Sequence, residues 1–304
     1  MYLIEHEQQL PQTPPVLVAG AHGTLGRAFA RLCHLRGLSA IALGRAELNI
    51  TDPVSVEAAL EQYQPWAVVN AAGYVRGDDA ETDAARCHRE NAGGPAVLAT
   101  ACAARQLPLL TFSSDLVFDG RQAAPYVESA CPNPLNVYGQ SKLAAEQAVL
   151  AAHPAALVVR TSAFFGPWDE YNFVHHVLQA ARHGRSFEAA ADTWIAPTYV
   201  PDLVNTSLDL LIDQENGLWH VANQTPCTWA ELARTAAKAA GYDPSFVVPR
   251  PMESFGLPAA RPHYSVLGTE RGVVLPSLPD ALRRYLLDVP DAVNPVGEEA
   301  MAAS

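Results

Sequence analysis

The sequence predicts an α/β protein: a doubly wound parallel sheet with a smaller C-terminal lobe. Three observations predict it. From Val16 to Arg160, short apolar runs alternate with helix-like stretches, the rhythm of a parallel sheet covered by helices. The first apolar run passes directly into Gly20, Gly23 and Gly26 and then into an amphipathic stretch. After Arg160 the rhythm loosens into proline-bounded pieces, as a second lobe built from later segments requires.

Strands are expected at 16–20 (VLVAG), 39–43 (SAIAL), 66–70 (WAVVN), 108–113 (PLLTFS) and 156–160 (ALVVR), with helices at 24–36, 53–63, 88–105 and 138–152. The helix at 53 has a clear start, because Thr51-Asp52 supplies a cap and Pro53 takes the first helical position, where an N–H has no partner to lose. Beyond Phe165-Gly166-Pro167-Trp168, helices near 171–183 and 202–212 and a strand at 217–221 are expected. The sheet domain is thus placed at 16–165 with return segments near 200–222, and the lobe at 166–199 and 223–288. Residues 1–13 and 289–304 read as flexible tails with little to bury.

Composition narrows the function. The chain has 304 residues, 49% of them hydrophobic, enough for a substantial core. Twenty Lys and Arg stand against 32 Asp and Glu, and the net charge of −12 repels phosphate backbones, so nucleic acid is not an expected partner. The N-terminus, MYLIEHEQQLPQTPP, lacks the basic start and apolar stretch of a signal peptide, and no later run has the length to span a bilayer. The expectation is a soluble cytoplasmic protein without a membrane partner. Five scattered cysteines without a CxxC suit reduced thiols. His175, His176 and His183 lack partners at metal-ligand spacing, so no metal is expected.

The glycines carry the first chemical signal. In VLVAGAHGTLG, Gly20 permits a tight turn, Gly23 lets backbone approach a pyrophosphate, and Gly26 lets helix and strand pack closely. Thr24 and Leu25 lie in the same loop, at the helix N-terminus that would face the phosphates of a dinucleotide. The second strand ends in Gly44-Arg45 where an acidic residue would favour a free ribose 2′-hydroxyl; Arg45 instead suits a 2′-phosphate, favouring NADPH over NADH. Asn49 and Ile50 are placed to touch the adenine. Ala71, Ala72 and Gly73, after the third strand, let the chain pass close to the cofactor.

Tyr138 and Lys142 carry the second signal. Spaced i, i+4 at the start of a helix, they project from one face. A free tyrosine titrates near about 10, and an adjacent ammonium is expected to lower that value. The pair suits delivery of a proton to a carbonyl as hydride arrives, with Lys142 stabilising the phenolate left behind. Asp115 suits either a sugar hydroxyl or a turn. Asn172 suits a substrate phosphate or, more simply, a helix N-cap.

With GAHGTLG, VVNAAGY, ETD, ENAGGP, FSSDLVFDG, PLNVYGQSKLAAE, VVRTSAFFG, IAPTYVPDL, GLWHVAN and ARPHYSVL in order over about residues 16–287, the chain resembles the dTDP-4-dehydrorhamnose reductase family. This is a branch of the extended short-chain dehydrogenase/reductases. The resemblance implies a Rossmann-like domain, a substrate-binding lobe, NAD(P)H, and reduction of the 4-keto group of a nucleotide-linked 6-deoxysugar in L-rhamnose biosynthesis. It makes Ser114, where the family often has Thr, the group that polarises the carbonyl, and has Lys142 bond the nicotinamide ribose. It also admits a homodimer. Two departures leave the sugar open: Ala163 replaces a tryptophan common in the family, and the loop at Val75-Arg76-Gly77 is more charged than usual, so that Arg76 contacts substrate or lies in solvent. A non-catalytic subunit resembling the regulatory subunit of methionine adenosyltransferase shares the fold, but retention of Ser114, Tyr138 and Lys142 argues against it. An epimerase or dehydratase is a further alternative; the dehydratase pattern has an Asp-Glu pair where this chain has Asp115-Leu116.

Overall fold

The computed structural model describes residues 13–294. Strands β1 (Val16–Ala19), β2 (Ala40–Leu43), β3 (Ala67–Asn70), β4 (Leu109–Ser114), β5 (Leu157–Thr161) and β6 (Gly217–His220) form one parallel sheet in the order β6-β5-β4-β3-β1-β2. Successive strand side chains point to opposite faces. Val16, Val18, Ala67, Val69, Leu110, Phe112, Leu157 and Val159 therefore enter one core, while Leu17, Ala19, Val68, Leu109 and Val158 enter the other. A sheet apolar on both faces needs helices on both.

The helices of the described residues are α1 (Thr24–Leu35), α2 (Pro53–Tyr63), α3 (Ala84–His88), α4 (Gly94–Ala104), α5 (Val137–Ala152), α6 (Phe173–Arg182), α7 (Val200–Ile212), α8 (Trp229–Ala239) and α9 (Leu278–Asp288). Helix α1 buries Leu25, Ala28, Phe29, Leu32 and Cys33, spaced i, i+3, i+4, i+7 and i+8, so one stripe faces the sheet. Leu203, Val204, Leu208 and Leu211 of α7 join it in the same core. The opposite core takes Val56 and Leu60 of α2, Leu98 and Cys102 of α4, and Val149 of α5. Full burial of each large side chain contributes about 1.5–3 kcal/mol. No helix among the described residues is long and apolar enough to cross a membrane.

The main strands and most helices start and end within two residues of expectation. The exception is the helix expected at 88–105, which begins at Ala84 and is interrupted by a π-helical turn at Arg89–Gly93. Pro95 has no N–H to offer the carbonyl of Asn91 four residues earlier, so the regular ladder cannot be completed there. The widened turn lets Asn91 reach inward, where its Oδ1 accepts from Tyr74 N at 2.7 Å and its Nδ2 donates to Ser141 Oγ at 3.0 Å.

Helices α6, α8 and α9 pack around Phe165, Val174, Leu178, Leu232, Leu282 and Tyr285. Arg284 of α9 grips Asp202 of α7 through two hydrogen bonds of 2.6 and 2.7 Å, joining this lobe to the sheet's helical layer. The tail expected from 289 needs correction over 289–294. Val289, Ala292 and Val293 pack on the lobe core, and Asn294 N donates to Ala240 O at 2.9 Å, because the chain leaving α9 still has apolar side chains to bury. The rest of the two expected tails, 1–12 and 295–304, lies outside the described residues.

Candidate active site

Strand order reverses between β1 and β3, and in open α/β sheets ligands bind beyond the carboxyl ends of strands at such a point. A cavity of about 990 Å³ opens there. Gly20, Gly23, Thr24 and Leu25 line it from the first loop, Arg45, Asn49 and Ile50 from the segment after β2, and Ala71, Ala72 and Gly73 from the segment after β3. Tyr138 and Lys142 close its far end.

The three glycines do different work. Gly20 has φ +93°, and a Cβ there would stand 2.7 Å from Ala72 N, so only glycine fits between the two loops. Gly26 lies behind the cavity wall: a Cβ on it would fall 2.0 Å from Gly20 O, so its absence lets α1 pack on the loop. Gly23 is the N-cap of α1 and brings no side-chain cap, leaving the first helical N–H groups for an anion. Thr161 supplies an independent sign that a polar ligand belongs here. Its Oγ1 is buried, lines the cavity and has no hydrogen-bond partner among the described residues. A dinucleotide therefore fits the residues present: phosphates at the Gly20–Leu25 loop, adenosine at Asn49 and Ile50, nicotinamide toward Tyr138.

Around the expected ribose site the structure adds detail. Arg45 reaches the cavity already paired, its Nη1 2.8 Å from Glu90 Oε1, and Arg86 shares that carboxylate at 2.9 Å. The two guanidiniums hold Glu90 below the usual carboxylate range against the opposing effect of burial, the largest single influence. Gly44 makes room for His22, whose Nε2 would lie 2.7 Å from a Cβ at position 44. His22, Arg27, Thr161, Phe164 and Trp168 also line the cavity, though the sequence assigned none of them a role. Asp169 also lines it, accepting from Thr24 Oγ1 at 2.9 Å.

At the far end, the sequence NVYGQSK is explained residue by residue. Asn136 caps α5 through Oδ1, which accepts from Gly139 N at 2.7 Å. A Cβ on Gly139 would fall 2.2 Å from Leu116 O, so this glycine lets the first turn of α5 rest on the turn after β4. That contact sets the Tyr138 phenol beside Ser114, the last residue of β4. Lys142 Nζ donates to Phe112 O at 3.1 Å and stands 5.8 Å from the centroid of the Tyr138 ring.

The expected lowering of the tyrosine is reversed. Burial, then the Asp115 carboxylate and Cys87, push the Tyr138 phenol well above its ordinary range, with only Ser114 opposing. Burial pulls Lys142 down to about 8, offset by Cys87 and Glu146. The reason is placement: the phenol is packed beside a carboxylate, and the ammonium donates to Phe112 O. A raised phenol stays protonated, the form a proton donor needs. Behind Lys142, Glu146 is held by the buried Arg160 through bonds of 2.7 and 2.6 Å and accepts from Ser113 Oγ at 2.5 Å.

Three expected substrate contacts are placed elsewhere. Arg76 lies outside the cavity wall, 75% exposed, with its Nη1 3.6 Å from Asp79; Val75 lines the cavity instead. Asn172 is the N-cap of α6, accepting from His175 N at 2.9 Å and donating to Gly166 O and Asp169 O, so neither end is free for phosphate. Asp115 is buried and accepts from three serine hydroxyls, so the sugar-hydroxyl reading gives way to an internal role. Ala163 packs against the lobe core at φ +37° rather than in the cavity wall, where the aromatic surface comes from Phe164 and Trp168. Sequence reasoning also missed Asn91, Ser162 and Ser265, since single polar residues leave no spacing signal.

The family described as RmlD substrate binding domain matches residues 14–289. The chain belongs to the dTDP-4-dehydrorhamnose reductase family. A dTDP-4-dehydrorhamnose reductase of Mycolicibacterium smegmatis is 35% identical over 283 residues, covering 92% of this chain and 85% of its own. A dTDP-4-keto-6-deoxy-D-glucose reductase of Streptomyces niveus is 36% identical over 255 residues, covering 83% of this chain and 88% of its own. The fold also matches the crystal structure of a family member from Bacillus anthracis, solved in complex with NADP. Its TM-score is 0.86 at 29% identity, over 91% of this chain and 99% of that one.

Proposed function

We propose that the protein reduces the 4-keto group of a dTDP-linked 6-deoxysugar with NADPH, the first candidate being dTDP-4-dehydro-L-rhamnose giving dTDP-L-rhamnose. It is an NAD(P)-dependent oxidoreductase whose relatives are named as reductases of dTDP sugars. One observation carries the reading: Tyr138 and Lys142 line the same cavity as a glycine loop on a helix N-terminus, with Ser114 beside the Tyr138 phenol just behind the wall.

When bound there, reduced nicotinamide supplies a hydride to the carbonyl carbon. Tyr138 gives its proton to the carbonyl oxygen, Ser114 donates a hydrogen bond to that oxygen, and the Lys142 ammonium stabilises the phenolate that remains. Phe164 and Trp168 exclude water from one wall. NADPH is favoured by Arg45, with His22 and Arg27 beside it on the wall and Gly44 at the end of β2. The Streptomyces niveus relative, named for a different 4-keto sugar, supports a second reading in which the same chemistry acts on dTDP-4-keto-6-deoxy-D-glucose.

The test is NADPH oxidation with each of these two dTDP-4-keto sugars, prepared enzymatically. Turnover of one and not the other assigns the substrate, and turnover of neither removes the proposal. Tyr138→Phe is expected to lower kcat about 10²- to 10⁴-fold while NADPH binding changes less than about twofold. Full activity in that variant would remove Tyr138 as the proton donor.

A further inference from the structure

Asp115 is a carboxylate beside Ser114 and Tyr138 that the proposed chemistry leaves without a task. It follows β4 directly, is 6% exposed, and divides its two oxygens unequally. Oδ1 accepts from Ser114 Oγ at 3.1 Å. Oδ2 accepts from Ser162 Oγ at 2.8 Å and Ser265 Oγ at 2.6 Å. These donors come from three parts of the chain: the end of β4, the residue after β5, and a C-terminal segment 150 residues away in sequence from Asp115. Ser265 is itself held by its N–H, which donates to Trp194 O at 2.9 Å.

We propose that Asp115 is a positioning residue: Oδ1 holds the Ser114 hydroxyl until a carbonyl takes its proton, while Oδ2, anchored by Ser162 and Ser265, makes that hydroxyl's orientation depend on the seating of the C-terminal lobe. The inference rests on the reductase reading for its catalytic consequence. Ser114 Oγ also accepts from Leu116 N at 3.2 Å, so with its proton on Asp115 the hydroxyl has one place left, facing the phenol of Tyr138. To serve a carbonyl, the Ser114 proton turns away from Oδ1. The carboxylate tolerates losing that donor because two remain on Oδ2. An unanchored carboxylate would instead hold the Ser114 proton or follow it. Lobe contacts are thereby coupled to the hydrogen bond that polarises the substrate.

Charged and titratable groups face the phenol from each packed element: Asp115 beyond β4, Cys87 from α3 and Lys142 from α5. Of these, Asp115 and Cys87 oppose phenol ionisation, burial aside.

The experiment compares Asp115→Asn and Ser265→Ala with the full-length protein, using NADPH and whichever dTDP-4-keto sugar is turned over. Asp115→Asn is expected to lower kcat about tenfold, and Ser265→Ala about threefold, with sugar KM within about twofold in both. Wild-type kcat in both overturns the proposal. So does a raised KM at constant kcat in Asp115→Asn, which would make the carboxylate a sugar ligand. Should Asp115→Asn fail to fold, Ser265→Ala decides alone, and wild-type kcat in it is fatal to the idea. A readout without turnover separates this from the reductase reading: fluorotyrosine placed at position 138 and titrated by fluorine NMR. Its midpoint is expected to fall in Asp115→Asn, since the facing charge is gone. An unmoved midpoint overturns the role of Asp115, whereas a moved midpoint in a protein that reduces neither sugar overturns the reductase reading alone.

Discussion

Glu146→Gln isolates the energetics beneath Lys142, the lysine proposed to act with Tyr138. Glu146 lies one turn after Lys142, and its carboxylate is 5% exposed against an Arg160 side chain that is 2% exposed. The amide keeps the volume but removes the charge, leaving Arg160 with His220 Nε2 at 3.2 Å and the Phe118 ring at 5.0 Å. Breaking a buried pair from one side costs about 3–5 kcal/mol, because the surviving charge is left in a dry site. With a slope of about 3 kcal/mol per M, the midpoint of urea unfolding, followed by circular dichroism, should fall by about 1 M or more at unchanged slope. The double variant Glu146→Leu/Arg160→Met removes both charges and should recover most of the loss. A single variant within about 1 kcal/mol of the parent, or a double variant no better than the single, would refute the reasoning.

Three other outcomes are expected. Lys142 is charged below about 8 and neutral above it, so kcat/KM should fall as pH rises through about 8, measured by NADPH oxidation in a constant-ionic-strength buffer series. Arg45→Ala should raise KM for NADPH about tenfold and alter KM for NADH less than about twofold, since only the former carries the 2′-phosphate. Burial and then Arg160 lower the pKa of His220 from its ordinary 6.5, so the folded state holds it neutral where the unfolded chain takes a proton. Its contribution to stability is full above pH 6.5 and lost as pH falls toward the lowered folded value. Thermal unfolding between these limits should show a slope that His220→Gln flattens.

Some of this protein could be read from neighbours in the chain. The unbroken apolar runs at 16–19, 67–69 and 157–159 dictate a sheet buried on both faces, since strand side chains alternate between them, and the apolar stripe from Leu25 to Cys33 dictates a helix on one of them. Spacing alone placed Tyr138 and Lys142 on one face of a helix and put Gly20 and Gly23 in the loop before α1, because these are local constraints on backbone and side-chain direction. What spacing cannot carry is charge environment. Only the fold brings Ser162 and Ser265 to Asp115, sets Asp115 beside Tyr138, and hands Arg45 to Glu90. The i, i+4 pair implied an ammonium lowering a phenol; the tertiary structure packed the phenol beside a carboxylate, and burial, then that carboxylate, raised it instead. Sequence thus pointed to the groups proposed to do the chemistry. Folding decided their protonation, because burial and long-range partners exist only once distant segments meet.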